Sequence, residues 1–173
     1  MLKILRTTLD SKEISVVSSA PQLGRICTAY ANEVSLINTG HYGAGPGQTT
    51  KTLAKYIGGC GAGRCYCAIQ PNGDITPCVF MPIVVGNVTR DDFMDVWEHN
   101  EIFKNLRDRS RYKGNCVSCD YKLYCGGCRA RAFGYFHDPL EADPGCIGNI
   151  KSWERLKADL SAASICEELP RQA

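Results

Sequence analysis

Apolar residues recur at helical spacing twice along the chain. Phe93, Val96 and Trp97 stand at i, i+3 and i+4, and Ile102, Phe103 and Leu106 continue the stripe beyond Asn100, the pattern of a helix with one buried face. Thr89-Arg90-Asp91-Asp92 precedes them as a capping box with Asp in place of Glu or Gln, which predicts a helix start there. The polar face ends in Arg107, Arg109, Arg111 and Lys113. Ile150, Trp153, Leu156, Leu160 and Ala163 line one face of a helix predicted over residues 149–169, expected to pack back onto the region before it. The aromatics of both helices read as core residues.

Strand signals are shorter. Residues 14–19 have the β-branched content of a strand and are stopped by Pro21. Residues 68–79 read as a hairpin, because Pro71-Asn72-Gly73-Asp74 is turn chemistry between Ala68-Ile69 and Ile75-Thr76. Residues 40–47 are glycine-rich and precede a predicted helix at 49–56, but they fail as a phosphate loop. Gln48 follows Gly47 where Lys is required, and Tyr42 takes the place of the first glycine. They read as a flexible connector.

Composition changes the picture at one point above all: eleven of 173 residues are cysteine. A disulfide framework needs an oxidising compartment, and the opening MLKILRTTLDSKEISVV has no long apolar run and no small-residue cleavage site, so the expectation is a reducing, cytoplasmic setting. The odd count also leaves one thiol unpaired. Net charge is +2, and no stretch reaches the about 18 apolar residues of a membrane span, so neither nucleic acid nor membrane is implied. At this length one main domain is expected, roughly 100 to 200 residues being usual. Residues 1–57 hold only Cys27, whereas 58–146 hold nine cysteines, which marks a boundary near residue 58.

The densest block is Cys116-x2-Cys119-x5-Cys125-x2-Cys128, followed by Cys146 after a loop containing Asp143-Pro144-Gly145. Two Cys-x-x-Cys pairs first suggest a zinc ribbon, and four thiolates accept either zinc or an iron–sulfur cluster. Spacing separates the two: a ribbon sets its pairs roughly 15 to 20 residues apart, and here five intervene. Such crowding suits a cubane that takes several ligands from one loop and another from a distant turn. The second block, Cys60-x4-Cys65-x-Cys67 with Cys78 across the hairpin, offers three or four ligands. Cys128 is the candidate donor to complete it, as the last cysteine of a compact run serves the other cluster in two-cluster ferredoxins.

Gly73-x4-Cys78, the dense block and Cys146 together resemble the SPASM domain, the cysteine-rich C-terminal module of radical S-adenosylmethionine enzymes. The likeness runs from Gly58 to about Ile150 and takes in Gly86-Asn87 and the tryptophan-bearing helix after it. It implies an α+β fold, with a β-hairpin and short helices around two [4Fe–4S] clusters, preceded by a fragment of a β/α partial barrel. The expected parts are a barrel remnant and connector at 1–57, the SPASM-like domain at 58–150 and a C-terminal helix at 151–173. It further implies Cys60, Cys65, Cys78 and Cys128 as ligands of one cluster, and Cys116, Cys119, Cys125 and Cys146 as ligands of the other. Cys27, Cys67 and Cys166 remain as ordinary thiols, with Cys67 the alternative to Cys65. Two positions depart from the family: two residues rather than three separate Cys125 from Cys128, and Val79 stands where sulfatase-maturing members carry aspartate.

No Cys-x3-Cys-x2-Cys triplet, the motif that holds the S-adenosylmethionine cluster in such enzymes, occurs in the chain. The expectation is therefore an auxiliary-cluster part or subunit that is inactive alone and works with a radical S-adenosylmethionine catalytic domain, with ferredoxin or flavodoxin as electron partner. Its clusters would pass electrons or orient the substrate in peptide modification or tetrapyrrole-type cofactor synthesis. A zinc-binding interaction module and a standalone ferredoxin-like carrier, docking through the basic run from Arg107 to Lys113, are the alternatives. His41, His99 and His137 are isolated and name no catalytic acid or base.

Overall fold

The computed structural model describes residues 58–162 and, before them, 20–22, 24–25, 37–39, 42–44 and 56. Strands β1 (Ile37–Thr39) and β2 (Tyr42–Ala44) pair antiparallel, Ile37 opposite Ala44 and Thr39 opposite Tyr42. Part of the expected connector is thus strand. Two residues of sequence, Gly40 and His41, separate the pair, the spacing of a tight hairpin. The predicted strand at 14–19 lies outside the described residues, as does the predicted helix at 49–56 apart from Tyr56, which is helical.

The predicted hairpin is present. β3 (Ala68–Ile69) pairs antiparallel with β4 (Asp74–Thr76), Ala68 facing Thr76 and Ile69 facing Ile75. Gly73 closes the turn at φ 85°, and its N–H donates to Gln70 O at 2.8 Å. A Cβ there would stand 2.9 Å from Asn87 Oδ1, so glycine is required by both conformation and space. A third strand, β5 (Gly86–Asn87), adds to β4. Asn87 locks this small sheet from beneath. Its Nδ2 donates to Asn72 O and Asp74 Oδ1, and its Oδ1 accepts from the backbone N–H and the hydroxyl of Thr89.

That use of Thr89 displaces the predicted cap. Helix α1 (Phe93–His99) is capped by Asp92, whose carboxylate accepts from Asp95 N at 2.8 Å. Asn100 then ends α1 and starts α2 (Glu101–Arg107), its side chain accepting from Ile102 N, so the apolar stripe is carried by two short helices. Phe103 and Leu106 of α2 are fully buried against Gly63, where a Cβ would meet both side chains at under 3 Å. Burying two such side chains contributes about 2 kcal/mol each. Trp97 and Phe103 pack ring to ring at 5.1 Å, with the Arg107 guanidinium 4.5 Å over Trp97.

Only part of the basic run is solvated: Arg111 and Lys113 are exposed, whereas the other two turn inward. Arg107 donates to Gly63 O and Trp97 O, and Arg109 is buried with its guanidinium on Gly58 O and Lys122 O. Burial, with the charge of Arg64 adding to it, draws the Arg109 pKa below its ordinary value. Beyond a 3-10 turn at Arg109–Arg111 come α3 (Asn115–Ser118), α4 (Arg129–Phe136), a second 3-10 turn at Ile147–Asn149, and α5 (Ile150–Ala162). Of the predicted apolar face of α5, Leu156 is buried and Ile150 is 53 % exposed. No described helix is long and apolar enough to cross a membrane.

Candidate metal centre

Four cysteines converge on one pocket after α3. Cys116 sits on α3 and Cys119 caps its end. A turn closed by Cys125 N to Tyr121 O at 2.8 Å brings Cys125 back, and Cys146 begins the 3-10 turn ahead of α5. All four line a single small pocket of about 20 Å³, with Arg25, Asn115, Tyr121, Lys122, Gly126, Gly127 and Asn149. Gly126 and Gly127 both adopt positive φ, near 66°, so the backbone approaches the sulfurs without a Cβ in the way. Gly127 N donates to Cys125 Sγ at 3.4 Å. Cys116 Sγ receives Asn149 Nδ2 at 3.4 Å and Arg129 Nη2 at 3.8 Å, and Cys146 Sγ receives Arg25 Nη1 at 3.3 Å. Burial pushes the Cys125 thiol up to about 12, so a bare thiolate there is disfavoured.

The other predicted set is brought together in part. Cys60, Cys78 and Cys128 line a cavity of about 440 Å³ with Tyr66, Phe80 and Arg131. Cys60 and Cys78 are buried in an apolar cluster with Ala62, Met81 and Ala130. The Tyr66 hydroxyl lies 4.0 Å from Cys78 Sγ, and burial, with Cys60 and Cys78 beside it, holds its pKa far above the usual phenol range. Cys65 is exposed and Cys67 half-buried, and neither is on the wall of this cavity. Among the described residues, no three His, Cys, Asp or Glu side chains gather around one metal-ion position. The thiols instead stand around spaces.

The two sites share their supports. Cys60 N donates to Cys125 O at 3.0 Å, and a Cβ on Gly59, at φ 76°, would lie 2.4 Å from that same carbonyl oxygen. Asp143 is the residue missed from sequence. Its side chain is fully buried. Oδ2 accepts from Cys128 N at 2.7 Å, from Arg131 Nη2 at 2.8 Å and from Gln22 Nε2, and Oδ1 accepts from Arg131 Nε at 2.6 Å and Gly145 N at 2.9 Å. Burial raises the Asp143 pKa, but the Arg131 fork and the two backbone donors outweigh it and hold the carboxyl below its usual range. One carboxylate thus fixes Cys128 at the first site and the turn into Cys146 at the second. Asp-Pro-Gly in sequence signalled only a turn. His99 pairs with Asp95, and His137 is the left-handed C-cap of α4.

Residues 60–129 match the family model of SPASM, an iron–sulfur cluster-binding domain. The chain is 42 % identical over 89 residues to the AdoMet-dependent heme synthase of Methanosarcina barkeri, covering 51 % of this chain and 26 % of the relative. It is 40 % identical over 94 residues to the mycofactocin maturase MftC of Mycolicibacterium smegmatis, covering 51 % of this chain and 24 % of the relative. It is 31 % identical over 96 residues to the PqqA peptide cyclase of Bradyrhizobium diazoefficiens, 50 % and 24 % being covered. The chain therefore spans about a quarter of the length of these relatives.

Proposed function

The chain carries a SPASM iron–sulfur cluster-binding domain over residues 60–129, and from that premise we propose that it holds two [4Fe–4S] clusters as the cluster-binding part of a radical S-adenosylmethionine enzyme. The observation that carries this reading is the convergence of Cys116, Cys119, Cys125 and Cys146 on one glycine-walled pocket. Four thiols around one pocket and a backbone N–H aimed at sulfur suit a cubane. Cys60, Cys78 and Cys128 hold the other cluster, with Cys65 as fourth donor and Cys67 as the competing thiol. When bound, such clusters supply one-electron transfer or an anchor that orients a substrate.

The protein's own part is positioning and shielding. Gly126 and Gly127 give close approach, Asn149 and Gly127 donate to sulfur, and Asp143 keeps Cys128 and the Cys146 turn in place. Cleavage of S-adenosylmethionine is assigned to a catalytic domain, upstream in the same polypeptide or on a separate chain, because residues 1–173 contain no Cys-x3-Cys-x2-Cys. In that reading residues 1–57 belong to the end of its barrel. The relatives, named for heme synthesis, mycofactocin maturation and PqqA peptide cyclisation, support a peptide or a tetrapyrrole as the substrate.

Anaerobic purification followed by iron, sulfide and zinc analysis tests the proposal. Two cubanes require about eight irons and eight sulfides per chain, with a signal from reduced clusters in electron paramagnetic resonance. Cys128→Ala removes about four of the irons and Cys146→Ser the other four. A colourless protein with stoichiometric zinc overturns the reading.

A further inference from the structure

Arg129 is a buried cation whose neighbouring carboxylates are all engaged elsewhere. The residue is 1 % exposed at the start of α4. Nη1 donates to Pro139 O at 3.0 Å and Glu141 O at 2.8 Å, both uncharged carbonyls, and the guanidinium lies 4.4 Å over the Tyr112 ring. Nε has no hydrogen-bond partner among the described residues. Asp143 pairs with Arg131, Glu141 with Arg155, and Asp138, which feels Arg129 at longer range, with Lys113. Among the described residues no ion pair reaches Arg129 itself. Full burial of a guanidinium without a counter-charge is strongly disfavoured. The remaining nitrogen, Nη2, lies 3.8 Å from Cys116 Sγ, on the wall of the four-cysteine pocket.

We infer that Arg129 is the buried charge partner, beside the half-buried Arg25 on Cys146 Sγ, of whatever anionic thiolate centre fills that pocket, and that it raises the reduction potential of the second cluster. The inference rests on the proposed function above. A cubane held by four thiolates is doubly negative when oxidised and becomes triply negative on accepting one electron. A fixed cation one contact from a ligand sulfur therefore favours the reduced form and raises the potential. Asn149, donating to the same sulfur from the other side, adds a neutral dipole of the same sense. Arg131 and Arg109 are not equivalent: the first has Asp143, and the second rests on the carbonyls of Gly58 and Lys122.

The test compares Arg129→Gln and Arg129→Lys with the unaltered chain, each loaded anaerobically and titrated with dithionite. Iron content and the resonance signals are read first. The signal lost in Cys146→Ser identifies the second cluster. If the unaltered chain binds no iron, the proposed function fails; the charge role is judged only on chains that carry iron. Arg129→Gln should shift the reduction equilibrium of the second cluster at least tenfold toward the oxidised form, about 59 mV for one electron. Arg129→Lys should stay within about threefold of the unaltered chain, and the first cluster should move less in both. Equal potentials in all three iron-loaded proteins overturn the inference. Should Arg129→Gln not fold by circular dichroism, Arg129→Met replaces it. If both neutral variants fail while Arg129→Lys folds and holds both clusters, a charge is required at that place. Failure of Arg129→Lys as well makes Arg129 a packing residue and overturns the inference.

Discussion

Asp143→Asn isolates the carboxylate that joins the two sites, because it changes two atoms and almost no volume. The amide keeps one acceptor oxygen, which serves Arg131 Nε and Gly145 N. Its NH2 then faces the Cys128 N–H and Arg131 Nη2, donor against donor, at positions now 2.7 and 2.8 Å from Oδ2. Gln22 Nε2 also donates to Oδ2, but its amide can turn to present its oxygen, so two charge-assisted bonds are lost outright, each worth about 1.5 to 3 kcal/mol. The Arg131 side chain is about a third exposed and regains water for its share, so a net loss of about 3 kcal/mol is expected. With a urea slope of about 2 kcal/mol per molar, the midpoint falls by about 1.5 M. The assay is an anaerobic urea titration of the iron-loaded protein, followed by circular dichroism and by chelator-captured iron. Irons of both sites should leave together and earlier than in the unaltered chain. A midpoint change under about 0.3 M, or one without earlier iron release, refutes the idea that Asp143 holds the two sites. An Arg131→Met, Asp143→Asn double-mutant cycle should show coupling of at least about 1 kcal/mol.

Other outcomes follow from single positions. Gly127→Ala puts a Cβ 2.5 Å from Arg129 Nη2 and 2.7 Å from Asp143 Cβ at positive φ, so a loss of at least about 2 kcal/mol and of bound iron is expected. Gly134→Ala, in helix α4 with nothing within 4 Å of the new Cβ, should stabilise by about 0.5 to 1 kcal/mol in the same titration. Asn87→Ala breaks four side-chain hydrogen bonds beneath the small sheet and should cost about 2 to 3 kcal/mol. Lys113 has its pKa raised by the hydrogen bond and charge of Asp138. The raised group contributes stability below the unfolded lysine value and loses it as pH rises through the folded one. The midpoint should therefore drop above about pH 10.5, and Lys113→Met should flatten that alkaline limb. Iron counts on Cys65→Ala and Cys67→Ala distinguish the two thiols, the first variant losing iron and the second keeping it.

Sequence made legible what is encoded locally. The hairpin at β3 and β4 follows from Pro71-Asn72-Gly73, while the grouping of Cys116, Cys119, Cys125 and Cys146 came from the resemblance to the SPASM domain, and all four line one pocket. Features that depend on distant partners were not legible. The cap moved from Thr89 to Asp92 because Thr89 is taken by Asn87 two residues earlier, which is itself held by Asn72 and Asp74 of the hairpin. Asn100 splits the apolar stripe because its side chain caps a new helix. Arg109 belonged to the polar face read from sequence and Arg129 drew no reading at all, yet both turn inward to carbonyls and sulfur supplied by other loops. Asp143 shows the same limit most plainly: its sequence neighbours mark a bend, and its importance lies in atoms contributed by Cys128 and Arg131.

Cys60, Cys78 and Cys128 share one cavity wall although roughly 70 residues separate the first from the last. Any group bound to both ends therefore acts on the chain as a staple. Closing a loop of that size in the unfolded state is worth about 4 kcal/mol on the chain-entropy scale used for cross-links, comparable with the whole stability of many small domains. The loop encloses the hairpin, both short helices and three of the four cysteines of the second site. Loading the first site should thus stiffen the scaffold of the second before anything is bound there, giving assembly a preferred order with no chaperone needed to impose it.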